Sequence, residues 1–239
     1  MKNSISIFIP AFNEKDTVTE VVNDLESFFS SYKFDYEIIL LDDASQDSTL
    51  EAMRKLARQS PHVKFYTFKK RQYLGRLLKF GYSVATKEWV MMVSADGQFR
   101  ARDLSLYIKH QHEAEIITGN RSERYKYYTF PRRVVSKIFN FLSRVFFKIP
   151  VQDVAWSKLV KREVLKNIYL KRTAAIVELE LLIKALKLGF RVKEIEVPFL
   201  IRKKGKSKAF NLALISVSAF SFLMLLVEMF FFSPPKSRR

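Results

Sequence analysis

Short apolar runs alternate with amphipathic segments through the first half of the chain, and no other feature limits the fold as strongly. Residues 5–9, 36–41, 63–68, 89–93 and 115–118 read as strands. Between them, 14–30, 48–58, 73–86 and 103–112 carry apolar residues at helical spacing, as in Val18, Val21, Val22, Leu25, Phe28 and Phe29. This alternation predicts an α/β domain whose mostly parallel sheet is covered by helices on both faces. Ligands of such sheets bind beyond the carboxyl ends of the strands. Those ends carry residues 10–14, Asp42 and Asp43, residues 96–98, and residues 119–121, so the polar groups converge on one rim.

The run 90–93 ends in Asp96-Gly97-Gln98. A carboxylate and an amide oxygen two residues apart suit a hard cation, Mg²⁺ or Mn²⁺. Such an ion keeps some waters and takes other ligands from substrate phosphates. The plainer alternative is an acidic loop with a turn glycine.

A second part begins near Arg121. Residues 132–148 form an amphipathic helix, with Val134, Val135, Ile138, Leu142, Val145 and Phe146 on one side and Lys137, Arg144 and Lys148 on the other. That pattern fits a core-facing helix or one lying in a membrane interface. Residues 173–188 read as another helix, stopped by Gly189, and 191–199 as an edge strand. A basic loop, 202–208, precedes an apolar stretch at 209–232 and a basic tail at 233–239. Residues 212–227 hold no charge. At about 1.5 Å per residue the stretch reaches roughly 30 Å, so it is expected to span a bilayer, a buried core helix being the alternative. Glu228 is costly in lipid and is expected at the far interface or against a partner helix.

Composition narrows the function. The net charge of +18 requires an anionic partner: nucleic acid, anionic lipid or a phosphorylated substrate. Nucleic acid explains neither the apolar stretch nor the rim, and is set aside. With no cysteine, the chain has no disulfides, no Cys-ligated zinc and no thiol catalysis. Residues 1–10 are too short for a secretory signal and read as a strand.

Four motifs stand in order: residues 7–14 (IFIPAFNE), 41–49 (LDDASQDST), 95–98 (ADGQ) and 202–208 (RKKGKSK). Together they resemble family 2 glycosyltransferases of the GT-A fold, and within them the dolichol-phosphate mannosyltransferase and polyprenyl-phosphate glycosyltransferase branch. The resemblance implies a Rossmann-like catalytic domain over 1–208 and transfer of a sugar, with inversion, from a nucleotide-sugar to a polyprenyl phosphate. Another lipid or glycan acceptor, or a binding subunit with weakened chemistry, is the alternative. It implies that Pro10, Phe12 and Glu14 line the nucleotide pocket, that Asp42 and Asp43 hold base and ribose, and that Asp96 and Gln98 bind the divalent cation. Arg121, Arg133, Ser136, Arg202 and Lys206 would hold the acceptor phosphate, and Asp153 would orient acceptor or sugar. Glu178 and Glu180 lie where other family 2 enzymes place a catalytic base; because a polyprenyl phosphate is already ionised, no base is needed, and Glu180 is read as structural. A membrane location is implied, with the catalytic domain on the cytosolic face. The chain departs from the pattern at Ser94, where the family has the first Asp of its metal motif, at Ala44, where it has Gly, and at Trp156.

Overall fold

The computed structural model describes residues 4–32, 34–174, 176–201 and 212–231, the last segment with side chains from Ser216 onward. Arg202, Lys206, the basic loop and the basic tail therefore lie outside the described residues.

The elements follow one another as β1 (Ser4–Ala11), α1 (Val18–Tyr32), β2 (Asp35–Asp42), α2 (Thr49–Gln59), β3 (Val63–Thr67), α3 (Tyr73–Val84) and β4 (Trp89–Met92). After a single 3₁₀ turn come α4 (Leu104–Lys109), β5 (Ile116–Asn120), α5 (Arg124–Tyr127) and α6 (Phe130–Phe147). The chain continues through β6 (Lys158–Lys161), α7 (Arg162–Asn167), α8 (Val177–Lys187), β7 (Val192–Glu196) and α9 (Leu212–Phe231). The seven strands form one sheet in the order β3-β2-β1-β4-β6-β5-β7. Strand β1 lies parallel to both β2 and β4, and β7 parallel to β5. Strand β6 runs antiparallel between β4 and β5.

The predicted parallel α/β sheet is thus present, but the sequence reading missed β6. That strand is four residues long and opens with a fully buried lysine, Lys158, so its pattern looks polar. The part that begins near Arg121 is joined to the same sheet. Strands β5, β6 and β7 complete the same sheet, and α5 and α6 are an excursion from it.

Alternation along β1 sorts its side chains into two layers. Ile5, Ile7 and Ile9 pack with Val18, Val22, Leu25 and Phe29 of α1, whereas Phe8 packs with Leu77, Leu78 and Tyr82 of α3. Gly81 permits the second contact, because a Cβ there would lie 2.3 Å from the Phe8 ring. Glu37 ties the sheet's inner edge together. It accepts bonds from Ser6 Oγ, the Thr86 amide and the Thr86 hydroxyl, and pairs with Lys64. Burial opposes its ionisation, but these partners outweigh it and hold the carboxyl down to about 2.

The apolar stretch at the end of the chain is a helix, α9, but a docked one. Phe222 packs edge-on against Phe139, Phe146 and Phe147 of α6, and Leu225 and Met229 are buried in the core beside α8. Glu228 lies between Lys171 at 3.2 Å, Arg172 at 2.5 Å and Lys184 at 3.3 Å. Among the described residues no helix is long and apolar enough to cross a membrane. The expected bilayer-spanning helix is corrected accordingly: one face of α9 is committed to the domain, and its acid to three cations there.

Candidate active site

The sheet reverses its winding between β1 and β4, which opens a crevice at their carboxyl ends. Two left-handed residues shape the β1 and β2 exits, Asn13 at φ 53° and Ala44 at φ 57°. Ala44 occupies the position where the family has glycine, so it bears a strain of roughly 1 kcal/mol. The two exits are laced together. The Asn13 amide donates to Ser45 Oγ at 3.0 Å, the Gln46 amide to Asn13 Oδ1 at 2.8 Å, and the Glu14 amide to Thr49 Oγ1 at 2.9 Å. Pro10 lies inside β1 opposite Leu41.

Asp42 and Asp43 are both buried at this rim. Asp42 accepts the Ser45 amide at 3.1 Å and the Thr67 hydroxyl at 2.9 Å. Asp43 accepts Arg71 Nε at 2.8 Å together with the amides of Gln72 and Tyr73. The Arg71 guanidinium sits 3.4 Å over the ring of Phe12. Phe12, Asp43 and Arg71 therefore form one constellation. Sequence reading named the first two and passed over Arg71, which lies in the loop after β3.

Beyond β4 the chain turns through Gly97 at φ 74°, a conformation that favours glycine. The turn places the buried Asp96 carboxylate so that its Oδ1 accepts the Gln98 amide at 3.0 Å. The side-chain amide of Gln98 donates to the Leu200 carbonyl at 2.9 Å, tying the turn to the segment after β7. Among the described residues no group of three or more His, Cys, Asp or Glu is arranged to hold a metal. A single carboxylate at a strand-end turn suits a cation that draws further ligands from a bound diphosphate and water.

On the β5 side the structure pairs two of the residues that the resemblance assigns to the acceptor. Arg121 is buried and makes a two-pronged contact with Asp153, at 2.8 Å from Nε and 3.2 Å from Nη2. Its guanidinium stacks 3.9 Å over Trp156. Burial opposes its charge, but Asp153 outweighs that and raises its pKa. The two residues assigned to acceptor binding thus satisfy each other, and Trp156, unusual for the family, is the platform beneath them. From below, the buried Lys158 donates to the carbonyls of Val154 and Trp156 and pairs with Glu178 at 2.7 Å, fixing the loop that carries Asp153. Glu180 accepts the amides of Lys171 and Arg172 and pairs with Lys184. Ser136 faces Asn140 within α6, and Arg133 sits one turn earlier, half-buried. The structure does not bring Arg133 or Ser136 onto the Arg121–Asp153 pair.

The sheet order, the single reversed strand and the polar rim define a GT-A-like α/β domain. Residues 6–169 match the profile of Glycosyl transferase family 2, and the chain belongs to that family. It is a glycosyltransferase that uses a nucleotide-sugar. Uncharacterised glycosyltransferases of Mycobacterium bovis and Mycobacterium tuberculosis are 26% identical over 208 residues, covering 86% of this chain and 89% of theirs. Among solved structures, glucosyl-3-phosphoglycerate synthase from M. tuberculosis, in complex with Mn²⁺, UDP and glucosyl-3-phosphoglycerate, superposes with a TM-score of 0.71 at 16% identity. The match covers 98% of this chain and 82% of that one. The same synthase with Mg²⁺ and UDP gives 0.70. A divalent cation as cofactor accords with those complexes.

Proposed function

We propose that this chain transfers a sugar from a nucleotide-sugar to an acceptor carried by a membrane lipid. The observation that carries the reading is an outward-facing apolar surface on two helices packed against each other. Helix α6 presents Val134, Ile138, Phe141, Val145 and Phe146, and α9 presents Phe220, Leu223, Val227 and Phe230. Exposed apolar area on this scale marks an interaction surface, and basic residues along α6 suit anionic lipid. The helices then lie in the interface plane, with the donor crevice on the cytosolic side.

Asp96 would hold Mg²⁺ or Mn²⁺, with the Ser94 hydroxyl and the Gln98 amide oxygen alongside. When bound, the cation stabilises the charge developing on the leaving diphosphate. Phe12, Asp43 and Arg71 would position the nucleotide. Glu178 and Glu180 both lie in buried ion pairs, so neither is poised to deprotonate a hydroxyl. An acceptor that is already an anion needs no such base, and polyprenyl phosphate meets both requirements. The second reading is a small soluble phosphorylated acceptor, favoured by the shared fold with glucosyl-3-phosphoglycerate synthase.

The test incubates the purified full-length chain with radiolabelled nucleotide-sugars, UDP-glucose among them, plus Mg²⁺ or Mn²⁺. The acceptors offered are polyprenyl phosphate, diacylglycerol and phosphoglycerate. Label in the organic phase that disappears with chelator supports the lipid reading. Label transferred only to phosphoglycerate, in the aqueous phase, overturns it.

A further inference from the structure

Between the end of β5, α5 and α6 lies a cavity of about 460 Å³. Arg124, Lys137 and Arg144 line it, and no carboxylate does. Arg124 is 2% exposed, yet its Nε has no hydrogen-bond partner. Its other nitrogens are fully used, by Asn120 Oδ1 at 3.1 Å, the Arg121 carbonyl at 2.9 Å, Tyr125 Oη at 2.9 Å and the Gln152 carbonyl at 3.0 Å. The guanidinium is thereby locked in place, with Asp153 3.5 Å from Nη1. A buried donor left without an acceptor is expensive unless a ligand supplies one. Lys137 and Arg144 stand two turns apart on one face of α6, and Lys137 Nζ lies 5.5 Å from the centre of the Tyr125 ring.

The rest of the lining is polar, from Asn120, Ser122, Asn140 and Gln152, apart from the Tyr125 and Phe141 rings. Phe141 lines the cavity and is itself 56% exposed, in the same outward stripe as Ile138 and Val145. The cavity therefore joins a cationic floor to the surface read above as membrane-facing. A phosphate monoester matches the floor, since Arg offers directed donors and Lys a point charge. An acyl chain matches the rim. We infer that this cavity binds the phosphate head of an anionic membrane lipid through Arg124, Lys137 and Arg144. The inference rests on the membrane-facing reading of α6 and α9, and it uses none of the residues that the family resemblance assigned to the acceptor.

The test measures binding of the full-length chain to three vesicle types: phosphatidylcholine alone, phosphatidylcholine with phosphatidic acid, and phosphatidylcholine with oleate at matched surface charge. The wild-type chain is expected to bind all three, and phosphatidic acid vesicles roughly tenfold more tightly than oleate vesicles. Lys137→Ala with Arg144→Ala, both on exposed positions, should erase that preference and keep binding to phosphatidylcholine. Lys55→Ala with Arg58→Ala on α2 removes the same charge elsewhere and should preserve the preference. Equal binding to phosphatidic acid and oleate, or a preference that survives the α6 double variant, overturns the inference while the membrane reading stands. No binding to any vesicle overturns both. Calorimetry with glycerol phosphate is the last arm. Saturable binding there by a chain that ignores vesicles assigns the cavity to a soluble phosphate, against the inference.

Discussion

The rim proposed for the donor and the side proposed for the acceptor are built differently. At the donor rim, Asn13, Ser45, Gln46 and Thr49 join the β1 and β2 exits through bonds between short loops. The groups that matter sit inside compact sequence motifs. On the acceptor side the decisive partners are far apart in the chain: Arg121 with Asp153, Lys158 with Glu178, and Arg172 with Glu228. There the chain commits its charges to structure and leaves its apolar side chains outside. The proposed donor side is a rim at the ends of interior strands, and the proposed acceptor side is a clamped platform with an open apolar face.

The largest expected effect comes from breaking that clamp. Arg121→Ala takes the two-pronged partner from buried Asp153, leaving Arg124 at 3.5 Å, and removing one partner of a buried pair costs about 3–5 kcal/mol. For a chain of this size the melting temperature should fall by roughly 6–20 °C. Asp153→Asn should fall in parallel, and the double variant should lose less than the sum of the two. An Arg121→Ala chain that melts like wild type but loses acceptor turnover would assign Arg121 to the acceptor and not to the clamp.

The donor side should break chemically rather than structurally. Asp96→Asn removes the carboxylate of the β4 turn while preserving its bond from the Gln98 amide. Turnover should fall roughly a hundred- to a thousandfold, with the melting temperature within a few degrees. Ser94→Asp adds a second carboxylate and should lower the Mn²⁺ concentration needed for half-maximal rate. Activity of Asp96→Asn in the presence of chelator would remove the metal from this turn.

The same contrast explains what was legible in the sequence. Strands β1, β2 and β4 announce themselves through apolar runs, and the Asp42-Asp43 and Asp96-Gly97-Gln98 turns through residues adjacent in the chain. Strand β6 stayed hidden because its first residue, Lys158, is buried and paired with an acid twenty positions on. The Arg121–Asp153 pair is invisible locally, since each residue alone looks like a ligand for a charged substrate. Residues 209–232 read as a spanning helix because hydropathy does not register one face docked on a neighbour. Glu228 was the available signal: an acid in an apolar run predicts cations, and they proved to lie in this same chain.

The apolar face offers the next test. Phe220 is 64% and Phe230 85% exposed, so replacing both with serine should leave stability within about 0.5 kcal/mol. Vesicle binding should drop roughly tenfold or more, because each phenylalanine contributes on the order of 1–2 kcal/mol on entering the interface. The loss should be equal with zwitterionic and anionic vesicles. Co-sedimentation unchanged in the double variant would place the lipid contact elsewhere.

The smallest expected effect belongs to Arg71, which the motifs overlooked. Its guanidinium rests on Phe12 and holds Asp43, so it braces two groups assigned to the nucleotide. It is only partly buried, which limits each contact to about 0.5–1 kcal/mol. Arg71→Ala should therefore weaken nucleotide-sugar binding about three- to tenfold by calorimetry. Acceptor KM and vesicle binding should not move. Arg71→Lys should recover little, because an ammonium keeps the charge near Asp43 but loses the flat stacking on Phe12. If the alanine variant binds donor more tightly, the meaning reverses: Arg71 then blocks the Phe12–Asp43 pocket and must be displaced before the nucleotide enters. Either sign locates the nucleotide at this constellation. No change in donor affinity would separate Phe12 and Asp43 from the nucleotide and leave the Asp96 turn as the donor side's defining feature.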